Sequence, residues 1–185
     1  MYRFAVRAFG PLAALACATM LSGCAFSINT YGASVENVEN IKRQSLSPVA
    51  LAPFTSAKPG LSVITCRGAG PVTTPGKIPY ESYIEGAIRD EFKLAGIFDG
   101  NAAQTINGHL ELVDFSSNIG VARWMLTLKL SSERGSYTTM TEHPFSTNYF
   151  GDKACQQVAQ AFVPAVQQLI RDVAASPSFR TLFAP

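Results

Sequence analysis

Residues 122–130 constrain the fold of this chain more than any other stretch. Trp124, Leu126, Leu128 and Leu130 alternate with Arg123, Met125, Thr127 and Lys129. Successive side chains of a strand point to opposite faces, so the pattern predicts a strand that is apolar on one side and mixed on the other. Trp124, in phase with the leucines, is assigned to the core. Arg123, Met125 and Lys129 face the other way. If no helix covers that side, they form a mixed aliphatic and cationic surface for a partner or ligand.

The neighbouring segments supply what such a strand needs. Gln104 to Phe115 reads as a strand with Ile106, Leu110 and Leu112 in step and Gly108 interrupting the face. Glu133-Arg134-Gly135-Ser136 is a hairpin turn signal, and Tyr137 to Tyr149 reads as a further strand that Pro144 marks as an edge or a bulge. Two helical patterns bracket these strands. In Tyr80 to Ala95, Ile84, Ala87, Ile88, Phe92 and Ala95 make an apolar stripe, with Glu81, Glu85, Arg89 and Lys93 on the other side and Gly96 as the stop. In Lys153 to Ala174, Val158, Ala161, Phe162, Ala165, Leu169, Ile170 and Val173 form the stripe, Asp152 is the expected cap, Pro164 predicts a kink, and Phe179 and Leu182 pin the tail. Earlier, Ser34 to Arg43 reads as a short helix capped by Ser34, with a Glu39–Arg43 pair and a Val35, Val38, Ile41 stripe. Residues 48–54 and 61–66 read as short strands, and 67–79, rich in Gly and Pro, as a loop. The resulting order predicts an α+β fold of two layers: a mainly antiparallel sheet with helices packed on one face.

Reactive constellations do not stand out. The sequence has no Gly-x-Ser-x-Gly elbow, no Walker loop and no His-Glu-x-x-His. Glu111 and Asp114 are three apart on one strand, which puts them on opposite faces. His109 could serve Ser116 or Ser117 as a base, but no spacing requires it. His109 and His143 are the only histidines, without close ligand spacing, so no metal and no cofactor is expected. The chain reads as a non-enzyme.

The N-terminus reads as an address. Arg3 and Arg7 precede an apolar run from Ala8 to Leu21. At about 1.5 Å per residue the run spans roughly 21 Å, short of the ~30 Å hydrocarbon core, so it fits a signal peptide better than a membrane span. The run ends in Leu21-Ser22-Gly23-Cys24, which resembles the lipobox of bacterial lipoproteins. The resemblance implies cleavage between Gly23 and Cys24 and acylation of Cys24. By the same resemblance, to lipoproteins sorted in a Gram-negative envelope, Ala25, a residue other than Asp after the Cys, implies the outer membrane. The expected organisation is a signal over 1–23, lipidated Cys24 and a polar tether over 24–33, and one periplasm-facing domain over 34–185. Losing Arg3 and Arg7 leaves 13 basic against 13 acidic side chains, a neutral chain without the basic face that nucleic acid requires.

Four cysteines are present. Cys17 leaves with the signal and Cys24 is the anchor. Cys66 and Cys155 remain in an oxidising compartment, which favours a disulfide between them. The alternative is a reactive Cys155 thiol near a helix N-terminus.

Several short stretches resemble small proteobacterial envelope lipoproteins of the YajG-like kind. They are Asn37-Val38-Glu39-Asn40 ahead of Val49–Phe54, Leu94-Ala95-Gly96-Ile97-Phe98, Ile106-Asn107-Gly108-His109-Leu110, Ala154-Cys155, and Ser176-Pro177-Ser178-Phe179. The resemblance implies a periplasm-facing domain with no catalytic set to carry over, and Cys66 and Cys155 fall outside its pattern. The leading expectation is an accessory or scaffold lipoprotein of an envelope assembly or transport machine, with another envelope protein as partner. The alternative is a binding module for an envelope glycan or lipid. An apolar pocket between sheet and helices would favour the ligand, and a filled core with an exposed apolar patch would favour the protein partner.

Overall fold

The computed structural model describes residues 25–183. Residues 1–23, which read as a signal peptide, the expected Gly23–Cys24 cleavage site and Cys17 lie outside the described residues.

The strand over the alternating segment is β7, Arg123–Ser132. It is the middle member of an antiparallel meander with β6 (Thr105–Ser116) and β8 (Gly135–Pro144). β8 is the edge and ends at Pro144, whose missing N–H cannot extend the ladder. On the other side, β2 (Ala50–Leu51) and β3 (Thr55–Ser56) pair with β6 in parallel, which departs from an all-hairpin reading of the first strand region. The sheet remains mostly antiparallel, and the fold is α+β as expected.

Helices cover one face. They are α1 (Val35–Lys42), α2 (Tyr80–Ala95), α3 (Gly151–Ala175) and α4 (Pro177–Thr181). Trp124 packs against Phe162 of α3 with ring centroids 4.6 Å apart, and Tyr80 of α2 lies 5.3 Å from Phe162. The Trp124 indole N–H donates to the Val158 carbonyl at 2.9 Å. Residues from both layers fill the space between sheet and helices, and the tail closes it, with Phe179 and Leu182 fully buried.

Several local expectations change. The bulge between Leu110 and Leu112 shifts the phase of β6, so Val113 turns inward and Leu112 outward. Glu111 is the unpaired residue there, and both Glu111 and Asp114 are exposed. α3 begins at Gly151, so Asp152 sits in its first turn and Phe150 occupies the cap position; Pro164 lies inside the helix. Ser34 caps α1, accepting from the Asn37 N–H. Lys42, not Arg43, pairs with Glu39, and Val35 is exposed while Asn37 is buried.

Residues 25–33 are not a tether. β1 (Phe26–Ser27) pairs in parallel with β5 (Gly70–Thr73), which forms a hairpin with β4 (Val63–Cys66) in a second, small sheet. The loop expected over 67–79 therefore contains a strand. Ile28 is buried, Tyr83 donates to the Asn29 carbonyl, and the Tyr31 hydroxyl donates to Glu91. The segment is short and has no regular apolar period; backbone pairing and the burial of single side chains hold it.

Candidate functional site

The sheet face opposite the helices carries the residues predicted as a partner surface. Along β7, Arg123, Met125 and Thr127 are partly exposed and Lys129 is exposed. The register extends the surface sideways. Leu112 and Met140 flank Thr127, Asp114 and Glu142 flank Met125, and His109 and Thr138 flank Lys129. Met140 is 80% exposed, although a methionine on a covered face would be buried. Arg123 forms an ion pair with Glu142 at 3.1 Å. The result is a largely apolar strip, Leu112–Thr127–Met140, with Asp114 and Glu142 along one side and Lys129 on the other.

The residues considered for chemistry do not converge. Nδ1 of His109 lies 2.8 Å from the Thr55 hydroxyl, tying β6 to β3. His143 is on the helix side of β8, with Nδ1 2.7 Å from the Gln168 side-chain oxygen. Ser117 is nearly buried and is engaged by Arg67 rather than by a histidine. Among the described residues no group of three His, Cys, Asp or Glu is placed to hold a metal ion.

Cys66 and Cys155 form a disulfide with Cα atoms 5.8 Å apart, both fully buried. It joins the small sheet to the second turn of α3. The reactive-thiol alternative does not apply to the bonded pair.

Sequence reading missed two arrangements. The first is the use α2 makes of its carboxylates. Glu81 and Glu85, expected on a solvated side, are nearly buried because they accept from backbone N–H groups of a crossing loop. The Gly60 N–H donates to Glu81 at 2.8 Å and the Phe54 N–H to Glu85 at 2.9 Å. Glu91, fully buried, accepts from the Tyr31 hydroxyl, the Ser34 N–H and the Asn37 amide. Burial raises its pKa above the ordinary carboxylate range, against the opposing pull of those three donors. Nothing in a helical period distinguishes a carboxylate that meets a loop backbone from one that meets water.

The second is a clamp built by Arg67. Its guanidinium donates to the Ser117 hydroxyl at 3.0 Å and to the Ser117 carbonyl. It also reaches the Asn148 and Tyr149 carbonyls at 3.2 and 3.1 Å. One side chain thus holds the β6–β7 loop and the β8–α3 loop together. The Thr147 hydroxyl adds a bond to the Ser117 carbonyl at 3.0 Å.

Clefts are shallow. The one with most charge holds about 310 Å³ between α1, α3 and α4 and is lined by Arg43, Arg171 and Arg180 with Asn40 and Gln44.

The sequence matches no family model. No curated protein matches it either. Two solved structures are similar. A crystal structure of a Xanthomonas campestris protein carrying the family-model name DUF330 has TM-score 0.52 at 11% identity, over 82% of this chain and 95% of that one. A crystal structure of an uncharacterized protein has TM-score 0.42 at 9% identity, over 80% of this chain and 97% of that one. The first shows a shared fold.

Proposed function

We propose that this chain is a non-enzymatic lipoprotein, anchored in the outer membrane through Cys24 and facing the periplasm. Its α+β domain serves as an accessory or scaffold component of an envelope assembly or transport machine. One observation carries the protein-partner reading: the space between sheet and helices is filled, while the opposite face exposes the Leu112–Thr127–Met140 strip. Among the described residues the filled core leaves no apolar pocket between sheet and helices, and an exposed apolar strip edged by charge suits a protein partner. Arg123, Met125 and Lys129 are the β7 residues of that contact. The lipobox resemblance supports the anchor, and the buried disulfide agrees with an oxidising compartment.

The test uses the lipidated protein in cells. A photocrosslinker placed at Met140 is expected to capture one envelope protein in stoichiometric yield, and the additional change Met125→Glu is expected to abolish the capture. Cys24→Ala is expected to leave an unprocessed precursor or release the protein from membranes. Normal processing and membrane association of that variant would reject the anchor.

The second reading, a module for an envelope glycan or lipid, has the arginine-lined cleft in its favour, since three guanidinium groups suit an anionic ligand. Absence of any protein captured at Met140, together with saturable binding of an anionic glycan lost on Arg171→Ala, would select it.

A further inference from the structure

We infer that the end of the domain at which the N-terminus emerges is a membrane-contact surface, on which Tyr149, Phe150, Ile119 and Val121 seat among the headgroups of a phospholipid bilayer. The inference rests on the proposed acylation of Cys24.

Strand direction locates that end. β1 runs parallel to β5, with Phe26 opposite Val72 and Ser27 opposite Thr73. β5 begins at Gly70, opposite Cys66 across the hairpin. The chain therefore enters β1 from the end that holds the Arg67–Gly68–Ala69 turn. Ala25, the first described residue, also lines a cleft with Gln156 and Gln160, in the N-terminal part of α3. Cys24 is one peptide further, about 3.8 Å between Cα atoms.

The same turn carries the Arg67 clamp. The two loops it holds bear exposed apolar side chains: Ile119 is 61% and Val121 52% exposed on one, and Tyr149 is 79% and Phe150 61% exposed on the other. Tyr149 and Phe150 stack edge to face with ring centroids 5.9 Å apart, and the Lys153 ammonium lies 5.8 Å from the Phe150 centroid. Two aromatic and two β-branched side chains are thus exposed on loops fixed to the anchor end.

The missing tether decides what they meet. Nine free residues could hold the domain roughly 30 Å from the membrane. Strand pairing of Phe26 and burial of Ile28 remove that reach. Acyl chains entering a bilayer from Cys24 bring the Arg67 end to within a few ångströms of the headgroups, so insertion of the rings is intramolecular. Aromatic side chains favour that zone, and an apolar contact of this kind reinforces an acyl anchor. Charge contributes little: Lys153 is offset by Asp152, Arg123 pairs with Glu142, and the Arg67 guanidinium is taken up by Ser117 and loop carbonyls. The contact is therefore expected in zwitterionic and anionic bilayers alike.

The natural chain has one tryptophan, Trp124, which is fully buried and gives a constant background. Phe150→Trp and, separately, Met140→Trp are prepared in full-length lipidated protein and reconstituted into phosphatidylcholine vesicles, with and without brominated acyl chains. The Phe150→Trp reporter is expected to shift to shorter wavelength on reconstitution and to lose intensity with brominated lipid. The Met140→Trp reporter, on the open sheet face, is expected to do neither. Acyl chains on Cys24 by mass spectrometry together with an unshifted, unquenched Phe150→Trp reporter would overturn the membrane contact and leave the anchor standing. An unacylated Cys24 in the mature protein would overturn both.

Discussion

Glu91 shows how one buried side chain can set a pH dependence. Its Oε1 collects three donors from residues 31–37, while Oε2 has no hydrogen-bond partner. Burial raises its pKa above the value of 4.5 that a free glutamate carries. Between that value and the raised native one, the folded chain holds a proton that the unfolded chain has released. Stability from this group is therefore fully present below about pH 4.5 and is lost as pH rises through the native pKa. Glu91→Gln is expected to flatten that slope in denaturant titrations across the window, and an unchanged slope would place its origin elsewhere. Gly108 is a residue-scale feature of another kind. A Cβ there would meet the Phe54 ring at 2.5 Å. Gly108→Ala is expected to cost about 1–3 kcal/mol, read as a lower denaturant midpoint, because the ring must leave its place. The sequence marks Gly108 as a break in an apolar face, but the ring that requires it belongs to Phe54, far away in the chain.

Elements with a strong internal period were the legible ones. α2 ends at Ala95 with Gly96 at φ 78°, as its stripe and stop residue predict. β7 keeps the alternation that defined it. Elements held by partners were not legible. β1 and β5 carry no alternation, and each exists because another strand supplies its hydrogen bonds. The phase of β6 is broken by a bulge that no composition announces. The candidate site followed the same rule. The β7 members Arg123, Met125 and Lys129 were legible from alternation, while Leu112 and Met140 joined them only through the bulge and the cross-strand register. The small sheet depends on its covalent link to α3 as well as on pairing. Cys66 and Cys155 are 89 residues apart, and cross-linking a loop of that length stabilises by roughly 4–5 kcal/mol in the chain-entropy model. Unfolding with reductant present is expected to shift the midpoint downward by a large part of that amount. Both thiols are expected to resist alkylation in the native protein until reductant and denaturant are combined, and ready labelling without reductant would contradict the bridge.

At the scale of the molecule, the question is where the folded body begins. A division at residue 34 treats residues 25–33 as linker, whereas the structure makes them part of the body. Ile28 is buried at 2% exposure, the Tyr83 hydroxyl donates to the Asn29 carbonyl at 2.8 Å, and Tyr31 serves the otherwise buried Glu91 carboxylate. A chain beginning at Ser34 loses all three and leaves the β5 edge bare, while a chain beginning at Ala25 keeps them. Full burial of an isoleucine contributes about 1.5–3 kcal/mol, and stripping a donor from a buried acceptor costs about 1–3 kcal/mol. The shorter chain is therefore expected to be less stable by about 2.5–6 kcal/mol in denaturant unfolding. Equal stability of the two would restore the tether. It would also remove the geometric reason for seating the Arg67 end on the membrane, because a body that starts at Ser34 could stand well clear of its anchor. The same nine residues thus set the boundary of the fold and, under the proposed anchoring at Cys24, its distance from the bilayer.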